Sequence, residues 1–142
     1  MAFPLPEDLL PHRPPHLYLS EVLSLSEDGR SLVARAEIPA ASFSGHFPGR
    51  PILPGVVMVE MLAQALACLA SLTGEKGLGM ITGVEKAKFR GVVSLPAVLE
   101  VQITVTDRRF GLTLAKGAVV VPGGKPVCTA EIQAVLVPEG AA

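Results

Sequence analysis

Apolar and polar residues alternate along much of this chain, and where the alternation stops the chain changes character. Leu99, Val101, Ile103 and Val105 fall on one side of an extended segment, with Glu100, Gln102, Thr104 and Thr106 on the other. That period of two predicts a half-buried strand over Leu99–Asp107. Ser31–Ile38 repeats the pattern, with Leu32, Ala34, Ala36 and Ile38 set against Ser31, Val33, Arg35 and Glu37. Tyr18–Ser26, Met80–Phe89, Leu112–Val121 and Val127–Val137 also read as strands. Turn signals lie at Glu27–Arg30, Arg108–Gly111 and Pro122–Lys125.

Between the second and third strands the alternation gives way to Val56–Leu72, which is rich in helix formers and apolar on every side except at Glu60 and Gln64. A helix that is apolar all round is a buried helix. Thr73-Gly74-Glu75-Lys76-Gly77 supplies its stop. Ahead of the first strand, prolines at 4, 6, 11, 14 and 15 leave room for one short helical turn at Glu7–Leu10. Two strands, one helix and four further strands make an α+β chain. Its simplest architecture is an antiparallel sheet of five to six strands curled around a long central helix, with a two-layer split sheet as the alternative.

With 142 residues the chain is long enough for one domain, 1–142. Hydrophobic residues make up 49% but aromatics only 4%, so the core must be built from Val, Leu, Ile and Ala. So much apolar surface on a small chain implies that part of it is buried between subunits. The net charge of −1 argues against a nucleic-acid partner. The N-terminus lacks the basic region of a signal peptide. The helix approaches the length of a membrane span, but Glu60 and Gln64 within it and the lack of basic flanks argue against one. Cys68 and Cys128 have neither metal-site nor redox spacing and read as buried free thiols in a reducing cytoplasm.

The candidate chemistry is concentrated where loop meets helix. Phe43-Ser44-Gly45-His46-Phe47-Pro48-Gly49-Arg50-Pro51-Ile52-Leu53-Pro54-Gly55 cannot be regular structure, because its prolines lack donors and its glycines admit unusual backbone angles. It presents a histidine and feeds a helix that presents a carboxylate. Glu60 and Gln64, four apart, share one helix face.

The run Gly45-His46-Phe47-Pro48-Gly49-x-Pro51-x-x-Pro54-Gly55-Val56, followed by Glu60-x-x-Ala63-Gln64, resembles the signature of the FabZ-type β-hydroxyacyl-(acyl carrier protein) dehydratases. These are enzymes of the hotdog fold. Pro11-His12-Arg13 and Gly83-Val84-x-x-Ala87-Lys88-Phe89-Arg90 extend the resemblance. Glu rather than Asp at 60 favours the FabZ type over the related FabA type. The chain departs from the pattern at His16, Ser20 and Glu21, where the family usually carries an aromatic and an Asp-Arg pair, and at Ser94-Leu95-Pro96-Ala97-Val98, in place of a Pro-Gly-Asp turn. Neither departure is expected to touch the catalytic pair.

The resemblance implies dehydration of a (3R)-3-hydroxyacyl thioester of acyl carrier protein to the trans-2-enoyl thioester. This chemistry is redox-neutral and calls for no cofactor or metal. It needs a base at C2, an acid at the C3 hydroxyl and a site for negative charge on the thioester carbonyl. His46 suits the base, because imidazole titrates near neutrality. Glu60 suits the acid, because an apolar helix disfavours its charged form. Outside the motif, a lone His would more simply tie a loop, and a buried Glu would be neutralised by Arg13, Arg50 or Arg90. In the family the two residues of one site come from different subunits.

Gly55, with Val56, would offer amide donors at the helix start and a close approach for the thioester. Gln64 would bond the acid or the substrate, or else be a polar residue satisfied at a subunit contact. Phe47, Pro48 and Pro51 would shape the loop, while Val57, Met61 and Leu62 read as core with a secondary place in an acyl tunnel. Arg50, Lys86, Lys88, Arg90, Arg108 and Arg109 are candidates for docking an acidic carrier protein. His12 and His16 have no evident part. Family members form homodimers or trimers of dimers. The competing functions are a hotdog thioesterase and a catalytically silent acyl-binding subunit.

Overall fold

A computed structural model describes residues 2–138. It contains a short helix α1 (Pro6–Leu9), strands β1 (Glu21–Leu25) and β2 (Ser31–Ile38), and the long helix α2 (Gly55–Leu72). Four strands follow: β3 (Leu78–Phe89), β4 (Ala97–Arg109), β5 (Leu112–Val120) and β6 (Pro126–Val137). The strands form one sheet in the order β1-β2-β4-β5-β6-β3, antiparallel at every pairing. Short hairpins join β4 to β5 and β5 to β6, so these are neighbours. The loop and helix between β2 and β3 carry the chain across the sheet and deliver β3 to the far edge. The sheet wraps α2, which is the hotdog arrangement.

The alternation read from the sequence is the core. Leu32, Ala34, Ala36 and Ile38 of β2 and Leu99, Val101, Ile103 and Val105 of β4 are buried, and they register against each other at Leu32↔Ile103 and Ala34↔Val101. They meet Met58, Met61, Leu62, Ala65 and Leu69 of α2. The tightest approach is at Gly117 of β5. A Cβ there would lie 2.6 Å from the Gln102 carbonyl oxygen and 2.8 Å from a Leu62 methyl. The helix packs this close because β5 offers it no side chain at that point.

Element boundaries differ from the sequence expectation mainly where apolar residues run on without alternating. Tyr18–Ser26 contains a strand only from Glu21 to Leu25, because Tyr18 turns its amide to the Gln64 side chain instead of to a neighbouring strand. The two-residue connection from β4 to β5 is Phe110-Gly111. Both residues have positive φ (53° and 78°), the geometry a tight hairpin demands.

The expectation that α2 is buried on every side holds only in part. About half of the helix is buried within the chain, and Val56 is 76% exposed. By length and composition α2 could cross a membrane. Its buried face is instead the centre of a protein core wrapped by strands. The two sheet edges are unequal: β1 has five residues and β3 has twelve. Along β3, Met80, Ile81, Val84 and Phe89 are exposed. A long edge with apolar side chains is a surface that natural proteins normally cover.

Because Gly117 lets helix and sheet meet, Gly117→Ala should destabilise the fold by about 1–3 kcal/mol through overpacking. The expected result is a lower urea midpoint with an unchanged slope. An unaltered midpoint would mean the helix sits farther from β5 than described here.

Candidate active site

The loop between β2 and α2 is held by its own backbone. The Phe47 and Arg50 main chains exchange two hydrogen bonds (2.9 and 2.8 Å), closing a turn with Gly49 at φ 74°. The Ile52 amide donates to the His46 carbonyl (2.6 Å). The Ser94–Val98 departure pins the loop from outside. Leu95 N donates to the Pro51 carbonyl, Leu53 N to the Val93 carbonyl, and Ile52 bridges Ser94.

The side-chain Nδ1 of His46 lies 2.9 Å from the Ile52 carbonyl oxygen. A carbonyl can only accept, so Nδ1 carries the hydrogen and the neutral ring keeps its lone pair on Nε2. Phe47, itself exposed, stacks on the imidazole with centroids 4.3 Å apart. The loop therefore fixes both the tautomer and the tilt of His46.

Glu60 lies on the second turn of α2, and among the described residues none of Arg13, Arg50 or Arg90, the partners of the alternative reading, pairs with it. Its carboxylate accepts a hydrogen bond from Gln64 Nε2 (2.9 Å). It stands 3.2 Å from His16 Nε2 and 3.7 Å from His12 Nε2. Arg13 instead donates to the carbonyls of Leu10 and His12. Both histidines come from the proline-rich segment ahead of β1, and the departure at His16 touches Glu60 directly, contrary to the sequence expectation. His12 Nδ1 is the one buried side-chain nitrogen or oxygen without a partner among the described residues.

Gln64 joins these parts. It is 1% exposed. Its Nε2 also donates to the His16 carbonyl (3.0 Å), while its Oε1 accepts from the Tyr18 amide (3.0 Å). Within the chain, Gln64 makes the bond to the acid that was one of the readings for it. Burial, and then the nearby Glu60 carboxylate, push the Tyr18 phenol above its ordinary range.

At the start of α2, the Pro54 carbonyl accepts from Val57 (3.1 Å) and Met58 (3.4 Å), and no side chain caps the helix. Among the described residues, the Gly55 and Val56 amides have no acceptor. They are the donors a helix N-terminus leaves for an anion. The missing Gly55 side chain leaves room for a ring of β3. A Cβ there would lie 3.0 Å from two ring carbons of Phe89, so an aromatic of β3 occupies that space.

Beside Glu60 opens a cavity of about 280 Å³ that runs between α2 and strands β3 and β6. Its helix side is Ala63, Leu66, Ala67 and Ala70. Val57, Met61 and Leu62 do not line it, and Met61 and Leu62 are wholly buried core. His46 does not line it either, and no hydrogen bond or ion pair joins His46 to Glu60 among the described residues. Cys68 and Cys128 are free and buried, their thiols pushed up to about 12 and about 11, which keeps them protonated and unreactive at neutral pH.

A six-stranded antiparallel sheet wrapped around one long helix defines the hotdog class of protein. The chain belongs to the FabA-like domain family, whose family model matches residues 10–131. It is 37% identical to the 3-hydroxyacyl-[acyl-carrier-protein] dehydratase FabZ of Thermoanaerobacter sp. (strain X514) over 137 residues, covering 93% of this chain and 94% of that one. It is 41% identical to FabZ of Latilactobacillus sakei subsp. sakei over 128 residues, covering 87% and 90%. Among solved structures, the dehydratase heterocomplex ApeI:P from Xenorhabdus doucetiae superposes with a TM-score of 0.83 over 98% of this chain and 95% of that one, at 18% identity.

Replacing Gln64 by Leu should cost about 2–4 kcal/mol, because the His16 carbonyl and Tyr18 amide would be left without partners in a buried place. Chemical denaturation reads this directly. A loss below about 0.5 kcal/mol would mean that water replaces the carboxamide without penalty.

Proposed function

We propose that this protein dehydrates (3R)-3-hydroxyacyl thioesters of acyl carrier protein to trans-2-enoyl thioesters in fatty-acid elongation. The observation that carries the reading is the hydrogen bond from His46 Nδ1 to the Ile52 carbonyl, which leaves Nε2 as a proton acceptor. In the proposed reaction Nε2 removes the C2 proton and charge moves onto the thioester oxygen. The Gly55 and Val56 amides hold that charge. Protonated Glu60 gives its proton to the C3 hydroxyl, the C–O bond breaks, and water and the enoyl thioester leave. The imidazolium and carboxylate left behind return to their starting states by exchange with solvent. The balance closes without a cofactor. The curated relatives are named as dehydratases, which favours this reading over the thioesterase and the silent binder.

A second copy completes the proposed site. Within one chain His46 and Glu60 share no cavity, and the long β3 edge exposes apolar residues close to both the cavity (Met80, Ile81) and the helix start (Phe89). We read the homodimer as pairing at this edge, alone or within a trimer of dimers, so that His46 of one copy faces Glu60 of the other. The acidic carrier protein would meet the outward sheet face, where Lys86, Lys88, Arg90 and Lys116 surround a depression of about 560 Å³ opposed only by Glu131. Arg90 follows Phe89 and brings this basic patch to the oxyanion end of α2. Of the other expected cations, Arg109 pairs with Asp107, Arg108 with Glu75, and Arg50 stays on the loop tip. The proposed compartment is the cytoplasm.

His46→Ala and Glu60→Gln should each abolish enoyl formation from 3-hydroxyacyl thioesters, followed by absorbance. Refolding the two variants together at equal amounts should restore about one quarter of wild-type activity, because half of the randomly formed dimers regain one of two sites. No restoration would place the pair within one chain, and thiol release without enoyl product would establish the thioesterase instead.

Reversing charge at Lys88 and Lys116 should raise KM for the carrier-borne substrate about tenfold relative to a small acyl-cysteamine thioester, most strongly at low salt. Equal effects on both substrates would dismiss the docking face.

A further inference from the structure

The cavity beside Glu60 has a second, charged end. From Glu60 to Ala70 it follows α2 for ten residues, about 15 Å at the helical rise, past Ala63, Leu66 and Ala67. It then meets Arg108 and Glu75, whose side chains form an ion pair of 3.6 Å across its far mouth. Glu75 is held at the helix exit by a hydrogen bond from its backbone N–H to the Ala70 carbonyl (2.9 Å).

Arg108 reaches this position through an irregularity in β4. Simple alternation from buried Val105 would turn 107 inward and 108 outward. The register on β5 instead slips, from Val105↔Ala115 to Asp107↔Leu114, leaving Thr106 as an extra residue. After the bulge, Arg108 pairs with Thr113 and both line the cavity. The bulge thus brings a guanidinium, itself partly exposed, to the far mouth of a channel whose walls between the two ends are mainly apolar.

We propose that the Arg108–Glu75 pair is the chain-length limit of this enzyme, the point at which the methyl end of an acyl chain stops. The inference rests on the dehydratase reading, with the C3 hydroxyl at Glu60 and the alkyl tail running along Ala63, Ala67 and Ala70. Each methylene that enters the channel leaves water and tightens binding. A methylene reaching the pair must instead strip water from two charges, which a hydrocarbon cannot replace.

The test uses the intact oligomer and 3-hydroxyacyl thioesters of increasing length. Their non-eliminating 3-hydroxyacyl amide analogues are titrated by calorimetry in parallel. In the wild type, affinity for the amides should rise about fourfold per methylene and then level or fall once the tail meets Arg108. Arg108→Leu should carry the rise on to longer chains and increase the ratio of long-chain to short-chain kcat/KM. Arg108→Lys should keep the wild-type break. Ala70→Leu, which fills the channel one turn earlier, should move the break to shorter chains.

Profiles for Arg108→Leu and Ala70→Leu that superimpose on wild type, or that change by one factor at every length, would overturn the proposal. Failure of the dehydratase reading is seen separately: no thioester would yield enoyl product, while the amide titrations would still show or lack the break.

Discussion

The buried carboxamide of Gln64 is the constraint on which the candidate site depends. A polar group placed inside a hydrocarbon core costs more than a single mediocre hydrogen bond returns, so it must be fully partnered. Gln64 meets that requirement with three bonds to three different places: the Glu60 carboxylate, the His16 carbonyl and the Tyr18 amide. Those bonds decide where the proline-rich segment ahead of β1 lies. They bring His12 and His16 to the carboxylate and end β1 short of Tyr18. They also hold Glu60 at the head of an apolar cavity. The site is therefore partly made by a residue that need not touch substrate.

The same logic separates what could be read in the sequence from what could not. Strands β2 and β4 were legible because the period of two and the burial requirement are one physical fact seen twice. Leu99, Val101, Ile103 and Val105 can share a side only by facing the helix. The helix was legible because nothing but Glu60 and Gln64 interrupts its apolar run. The loop before it was legible because its prolines and glycines exclude regular structure, although only Gly49 uses a left-handed angle. The two histidine partners of Glu60 were not legible. They lie 44 or more positions away in sequence, in a segment with no periodicity, and their approach is fixed by a tertiary hydrogen bond. The one available signal was negative: His16 stands where the resembling family carries an aromatic, which marked the position as unusual without saying what it faces.

Gly55 and Arg108 show a second limit of one-dimensional reading. A glycine at a helix start next to a catalytic motif invites a role in substrate approach, and nothing in the sequence says that the space beside it adjoins Phe89, thirty-four positions later. Arg108 was read as a turn residue and a docking candidate on its charge alone, whereas β4 runs on through it to Arg109. A single extra residue at Thr106 reverses every later side chain of β4. A bulge has no reliable sequence mark, since it depends on what the partner strand offers.

One sheet edge is short and the other is long and apolar, and in the proposed assembly a second copy pairs in the direction of the long one. That direction is β3, which also carries the ring against Gly55, the wall of the cavity at Met80 and Ile81, and the basic residues of the outward patch. Covering β3 with a second copy would desolvate the region between loop and helix, and electrostatic interactions strengthen when water leaves. An imidazole with a fixed tautomer and a carboxyl group held by Gln64 would then face each other across a dry boundary. Subunit association and the onset of chemistry would on this reading be one event, because the surface that drives pairing is the surface that completes the site.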